Sequence, residues 1–129
     1  MNKKIGAVLL LALSCTHAMA EWIKVSSTEQ AMIYMDIEAA QKGGGHVMVW
    51  MLRDFSSPRN GLGGAYLSTK DLMEIDCSNR RIRRNYTSDH PQRMGGGAFV
   101  SSDHGPMSWN DIVPNTIVKR VADIACVRP

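Results

Sequence analysis

"EIDCSNRRIRRNY", residues 74–86, packs four arginines into five positions beside a cysteine. Its reading separates two kinds of protein. Unanswered guanidinium groups mark a phosphate-binding stripe, whereas answered ones mark a charge-paired hairpin. With Ser78 and Asn79 at a hairpin tip, residues whose numbers sum to 157 lie opposite each other. A two-residue and a four-residue loop give the same register. Asp76 then faces Arg81, Glu74 faces Arg83, Ile75 faces Ile82 and Met73 faces Arg84. Side chains alternate across a strand, so Met73, Ile75, Cys77, Ile82 and Tyr86 are expected on one face and the paired charges on the other. Arg80 and Arg84 are left to lay their stems along apolar surface or to meet an acidic partner.

The charge balance around this stretch supports the hairpin. Between Asp71 and Arg93, five arginines meet Asp71, Glu74, Asp76 and Asp89. The chain as a whole carries a formal charge of +3, but Lys3 and Lys4 sit in the first twenty residues. Those residues read as a secretory signal: a basic start, an apolar run over residues 5–13, and small residues at Ala18 and Ala20 before Glu21. Without them 13 basic residues face 12 acidic ones, a poor composition for neutralising nucleic-acid phosphates. The apolar run is also too short to cross a bilayer, so no transmembrane segment is expected. Cleavage after Ala20 leaves residues 21–129 as one domain. Export places the product in the periplasm, at the cell surface or outside the cell. Lipid anchoring at Cys15 is the lesser alternative, because Ala12 and Leu13 stand in the reverse of the order a lipobox needs.

With Cys15 in the signal, Cys77 and Cys126 remain as an even pair in an oxidising compartment, and a disulfide between them is expected. Outward from the hairpin, residues 22–26 and 32–38 are strand-compatible, with residues 27–30 as a turn and 39–45 as a break. "HVMVWMLRDF", residues 46–55, is apolar on both faces and predicts a central strand covered on both sides. Residues 56–65, with three glycines and a proline, predict the longest loop. Residues 66–77 and 80–89 are the strand pair, and residues 95–103 a further strand. Ile117, Val118, Val121, Ile124 and Ala125 then form one helical stripe, capped by Asn115 or Thr116. The sum is an α+β domain: one antiparallel sheet of about six strands with a C-terminal helix stapled to it.

No catalytic pattern emerges. The "DH" pairs at Asp89–His90 and Asp103–His104 read as turn chemistry, and His46 stands apart, so neither metal nor cofactor is expected. The glycine triplets at residues 43–45 and 95–97 lack the Lys-Ser/Thr that phosphate loops need. The methionines read as core filling, and Trp22, Trp50 and Trp109 as core or sheet-face residues.

The order of motifs carries a further reading. "EWIKV" follows the signal; then come "YMDIEAAQKGGGHVMVWMLRDF", "YLSTKDLMEIDCSNRRIRRNYTSD", a "GGG" before a strand, and "WNDIVPNTIVKRVADIAC". This resembles the bacterial surface-adhesin protein E family over nearly the whole mature chain. The resemblance implies the same sheet-plus-helix fold, matches Cys77 and Cys126 to the family's cysteine pair, and implies an envelope location. It also implies attachment to host matrix proteins such as vitronectin and laminin. The expected function is accordingly a non-enzymatic, adhesin-like binding module, with the alternative of a periplasmic interaction protein lacking a host ligand. Its expected contact surfaces are residues 56–65, including Arg59, and the face bearing Arg81 and Arg83. An exposed sheet edge also offers a place for a second copy, a homodimer.

Overall fold

A computed structural model describes residues 21–127 apart from residue 44, together with the backbone alone at 37–43. The expected signal and Cys15 lie outside these residues. Six antiparallel strands follow one another as a meander in the order β1 to β6: β1 (Trp22–Ser27), β2 (Ala31–Gly43), β3 (His46–Gly61), β4 (Gly64–Asp76), β5 (Arg81–His90) and β6 (Ser101–His104). A two-residue strand, β7 (Asn110–Asp111), pairs with the start of β5. The helix α1 (Ile117–Val127) closes the chain.

The arginine-rich stretch is the β4–β5 hairpin, in the expected register: Asp76↔Arg81, Ile75↔Ile82, Glu74↔Arg83 and Met73↔Arg84. Asp76 shapes its turn by accepting hydrogen bonds from the Asn79 backbone N–H (3.2 Å) and side-chain amide (2.8 Å). Beyond Met73 the register shifts, and Leu72 pairs with Tyr86. Asn85 is thus an extra residue on β5, a bulge that turns every later side chain over. Tyr86 therefore leaves the face of Ile75 and Ile82 and meets the Trp50 ring edge-to-face at 6.0 Å. Strict alternation had no means of showing that insertion.

Three other expectations are corrected in the same way. Residues 56–65 are not a loop: they complete the β3–β4 hairpin, with Arg59↔Tyr66, Asn60↔Ala65 and Gly61↔Gly64 paired. The register shift between Asp54 and Arg59 absorbs Pro58, whose missing N–H costs nothing in a bulge. β2 runs on to Gly43 through another shift, in place of the break over residues 39–45. Finally, only Ser101–His104 of residues 95–103 is strand. Met94, Gly95 and Gly97 have positive φ and turn the chain back over the sheet, where the Gly95 N–H donates to Ser68 Oγ (2.8 Å).

One face of the sheet carries the core. Val25, Ile33, Met35, Val47, Val49, Met51, Ile75 and Ile82 cluster there with Val121, Ala122 and Ala125 of α1. Thr116 caps the helix, its Oγ1 accepting from the Lys119 N–H (3.2 Å). Arg120 donates to the Val25 carbonyl of β1 (2.8 Å), and Cys126 is bonded to Cys77 at the end of β4. The cysteine therefore lies on the helix-receiving face, as expected. Coverage of β3 on its far side is only partial: Leu52 is fully buried, but Met48 and Trp50 remain half-buried.

The β3–β4 turn, at Leu62 and Gly63, presses against the segment before β6. A Cβ on Gly63 would lie 2.1 Å from the Val100 carbonyl oxygen, which is backbone and cannot swing aside. Gly63→Ala is expected to cost about 2 kcal/mol through this clash, read as a lowered urea midpoint. Gly63→Ala at wild-type stability would show that the contact is not made.

Candidate functional site

Two regions gather the residues singled out for binding. The first is a charged ladder on the face opposite the helix, built by the antiparallel register of β3, β4 and β5. That register sets His46 beside Asp76 and Arg81, with Glu74 and Arg83 one step along the same face. Glu74 is buried and accepts from Arg83 Nε (2.8 Å) and Asn85 Nδ2 (3.1 Å), while its other oxygen lies 2.6 Å from His46 Nδ1. Asp76, also buried, accepts from Arg81 Nε at 3.0 Å, and His46 Nε2 lies 3.5 Å away.

Burial works against both carboxylates being charged, but their partners win. For Glu74 the desolvation is outweighed by hydrogen bonds from Arg83, His46 and Asn85, and its pKa falls from 4.5 to about 2. For Asp76 the Asn79 amide leads, against burial and with Arg81 assisting, from 3.8 to about 2. Trp109, delivered by the strand β7 beside it, covers the ladder. Its ring centroid lies 4.6 Å from the Arg81 guanidinium carbon, 4.2 Å from that of Arg83 and 5.4 Å from the His46 ring. Such cation–π contacts hold the segment after β6 against the sheet. Arg81 and Arg83 are thus paired below and covered above, and both remain partly exposed, at 39% and 26% of their side chains.

The second region is the far end of the β3–β4 hairpin. Leu62 is fully exposed at its tip, and Phe99, one residue from the Val100 contact, is 55% exposed. Arg59 lies behind the tip with its guanidinium carbon 4.4 Å from the Phe55 ring centroid. The segment leading to β6 is tied down nearby. Arg93 donates to the Phe55 carbonyl (2.7 Å), and the Met94 N–H donates to Asp54 Oδ1 (3.1 Å). Leu62 falls within the expected contact stretch of residues 56–65 without having been singled out, whereas Phe99 was not among the residues expected from sequence. Leu62 lay unread inside a glycine-rich stretch, and Phe99 inside an expected strand.

The remaining expectations resolve individually. Arg80 finds its acidic partner in the helix, at Asp123 (2.9 Å), whose pKa is lowered by Lys119 and Arg80. Arg84 has no carboxylate partner among the described residues. Buried His90 lies 2.8 Å from Ser88 Oγ and 3.2 Å from the Gly97 carbonyl, which places it in the scaffold of the residue 91–100 turn. His104 is exposed beside Tyr86, with ring centroids 4.8 Å apart. Among the described residues no group of three histidine, cysteine or carboxylate side chains is arranged to hold a metal ion, and no helix is long and apolar enough to cross a membrane.

Comparison with known proteins adds to this geometry. The family described as "Surface-adhesin protein E" matches residues 22–127, which is most of the chain. Among solved structures, protein E of Haemophilus influenzae is similar, with a TM-score of 0.67 and 14% sequence identity. The match covers 81% of this chain and 83% of that one. At that identity the likeness is one of fold. A search of curated proteins finds no match.

Proposed function

The chain belongs to the surface-adhesin protein E family, and from that premise we propose that it is an exported, non-enzymatic module that binds other proteins, host matrix proteins first. The observation that carries the reading is the far end of the β3–β4 hairpin. There exposed Leu62 at the turn and exposed Phe99 stand on backbone tied into the sheet by the Gly63–Val100 contact, and Arg59 lies further back along β3, with its guanidinium over the Phe55 ring. An exposed apolar tip, with an exposed arginine further back on the same hairpin, suits protein recognition, where large apolar and arginine side chains contribute most. Arg81 and Arg83 form a second contact face in this proposal, acting through their exposed edges. β1 and β6, the outermost strands, are where a second copy would pair.

The test uses the mature protein on immobilised vitronectin and laminin. Saturable binding is expected, and Leu62→Asp with Arg59→Glu is expected to weaken it about tenfold, a loss of one central anchor. Arg81→Gln with Arg83→Gln is expected to reduce its salt dependence. Absence of saturable binding to either matrix protein would remove the host-ligand reading. Recovery of a stoichiometric bacterial partner from periplasm would then favour the interaction-protein reading.

A further inference from the structure

The helix is too small for the sheet it covers. Eleven residues make a rod of about 16 Å, while six strands span about 24 Å. α1 is drawn toward β1 by Arg120 and lies over β1, β2 and β3. The β4–β5 part of the same face is left as a groove, walled by α1 on one side and by residues 107–116 on the other. Its volume is about 580 Å3, within the range of small-ligand sites.

The lining has two chemistries. Ile33, Met51, Met73 and Ile82 of the sheet face Ile117 and Val118 of the helix across an apolar channel, and half-exposed Met107 and Val113 stand at its rim. Three arginines border that channel, of which Arg83 is paired with Glu74, leaving Arg53 and Arg84. Arg53 donates to buried Asp71 (3.0 Å), which Thr87 also supplies (2.5 Å), but its buried Nε has no acceptor. Arg84 is half-buried and meets no carboxylate among the described residues; Asp111, at the exposed rim, is beyond ion-pair distance from it. A half-buried cation without a carboxylate partner among the described residues is costly, and so is the unmade donor at Arg53. The Arg84 charge is relieved by an anion and the apolar walls by an aliphatic chain, while the Arg53 Nε, sealed from the groove, takes no part.

The geometry points to this groove as a binding site for an amphiphilic anion: an aliphatic chain between the helix and the sheet, with a carboxylate head at Arg84. Charge complementarity selects the head and the methionine-rich wall the chain, since unbranched thioethers adapt to flexible apolar ligands. The site is independent of the hairpin end, so the fate of either reading leaves the other standing.

The test is calorimetric titration of decanoate into the mature, disulfide-bonded protein, with decanol as the headless control. Saturable one-to-one binding of decanoate is expected, with decanol weaker by about tenfold, the contribution of a charge-assisted hydrogen bond. Arg84→Gln is expected to bring decanoate down to the decanol level. Val113→Trp, an exposed rim position, is expected to block both ligands while leaving the melting temperature unchanged. No saturable decanoate binding, equal affinity for decanol, or affinity untouched by Arg84→Gln and Val113→Trp would each overturn the proposal.

Discussion

Replacing Cys77 and Cys126 together by alanine is expected to lower the stability of the mature protein by about 4 kcal/mol. The bridge spans a sequence separation of 49 residues, so the unfolded chain loses a large amount of freedom when it is closed. In the native state it does a second thing. An eleven-residue helix is marginal alone, and among the described residues three polar or covalent ties hold this one to the sheet: the Arg120 bond to β1, the Arg80–Asp123 ion pair and the disulfide. The ion pair is exposed on both sides and weak. Without the sulfur bridge the core residues Val121, Ala122 and Ala125 are therefore held mainly by their own burial. The melting temperature is expected to fall by roughly 20 °C, with far-UV helix signal lost before the sheet signal. A double variant that melts within a few degrees of wild type would refute this account. Reduction of the wild-type protein, measured beside it, checks that the loss belongs to the bridge and not to the alanine side chains.

What sequence made legible was whatever depends on pairing and period. The β4–β5 register followed from four opposite pairs, two of them charged, because a slip of one residue would flip every side chain to the wrong face. The helix followed from one apolar stripe, and the disulfide from an even cysteine count after export. The signals that failed were those of single residues whose meaning depends on a neighbour in space. Pro58 and three glycines read as a loop, although a bulge accommodates the proline and the glycines let the hairpin tip meet Val100. Asn85 looks like any strand residue, and only the partner strand shows that it is the extra one. Trp109 was legible as a sheet-face residue, but its position over Arg81 and Arg83 depends on β7, two residues long and carrying no periodic signal. The groove beside the helix is likewise a property of mismatched lengths, visible once helix and sheet are laid together.

Glu74→Gln is expected to cost about 3 kcal/mol at pH 7, the lower end of the range for breaking a buried charge pair. The lower end applies because the partners it would abandon, Arg83 and His46, are 26% and 31% exposed and regain some water. The pH dependence distinguishes this from a packing defect, since glutamine keeps the volume while losing the charge and one of the two acceptor oxygens. Glu74 has a folded pKa of about 2 against 4.5 for the free side chain. A depressed carboxyl contributes its full stabilisation above the higher value and loses it as pH falls toward the lower one. The gap between wild type and variant is therefore expected to hold steady down to about pH 4.5, to narrow below it, and to be mostly gone near pH 2, where wild-type Glu74 is about half protonated. Asp76, depressed to about 2 on the same face, titrates in both proteins, so it lowers both curves and cancels from the difference. Urea unfolding at several pH values between 7 and 2.5 reads the gap directly. A gap that stays constant through this window would mean that the ladder of Glu74, His46 and Arg83 holds the sheet by shape and not by charge.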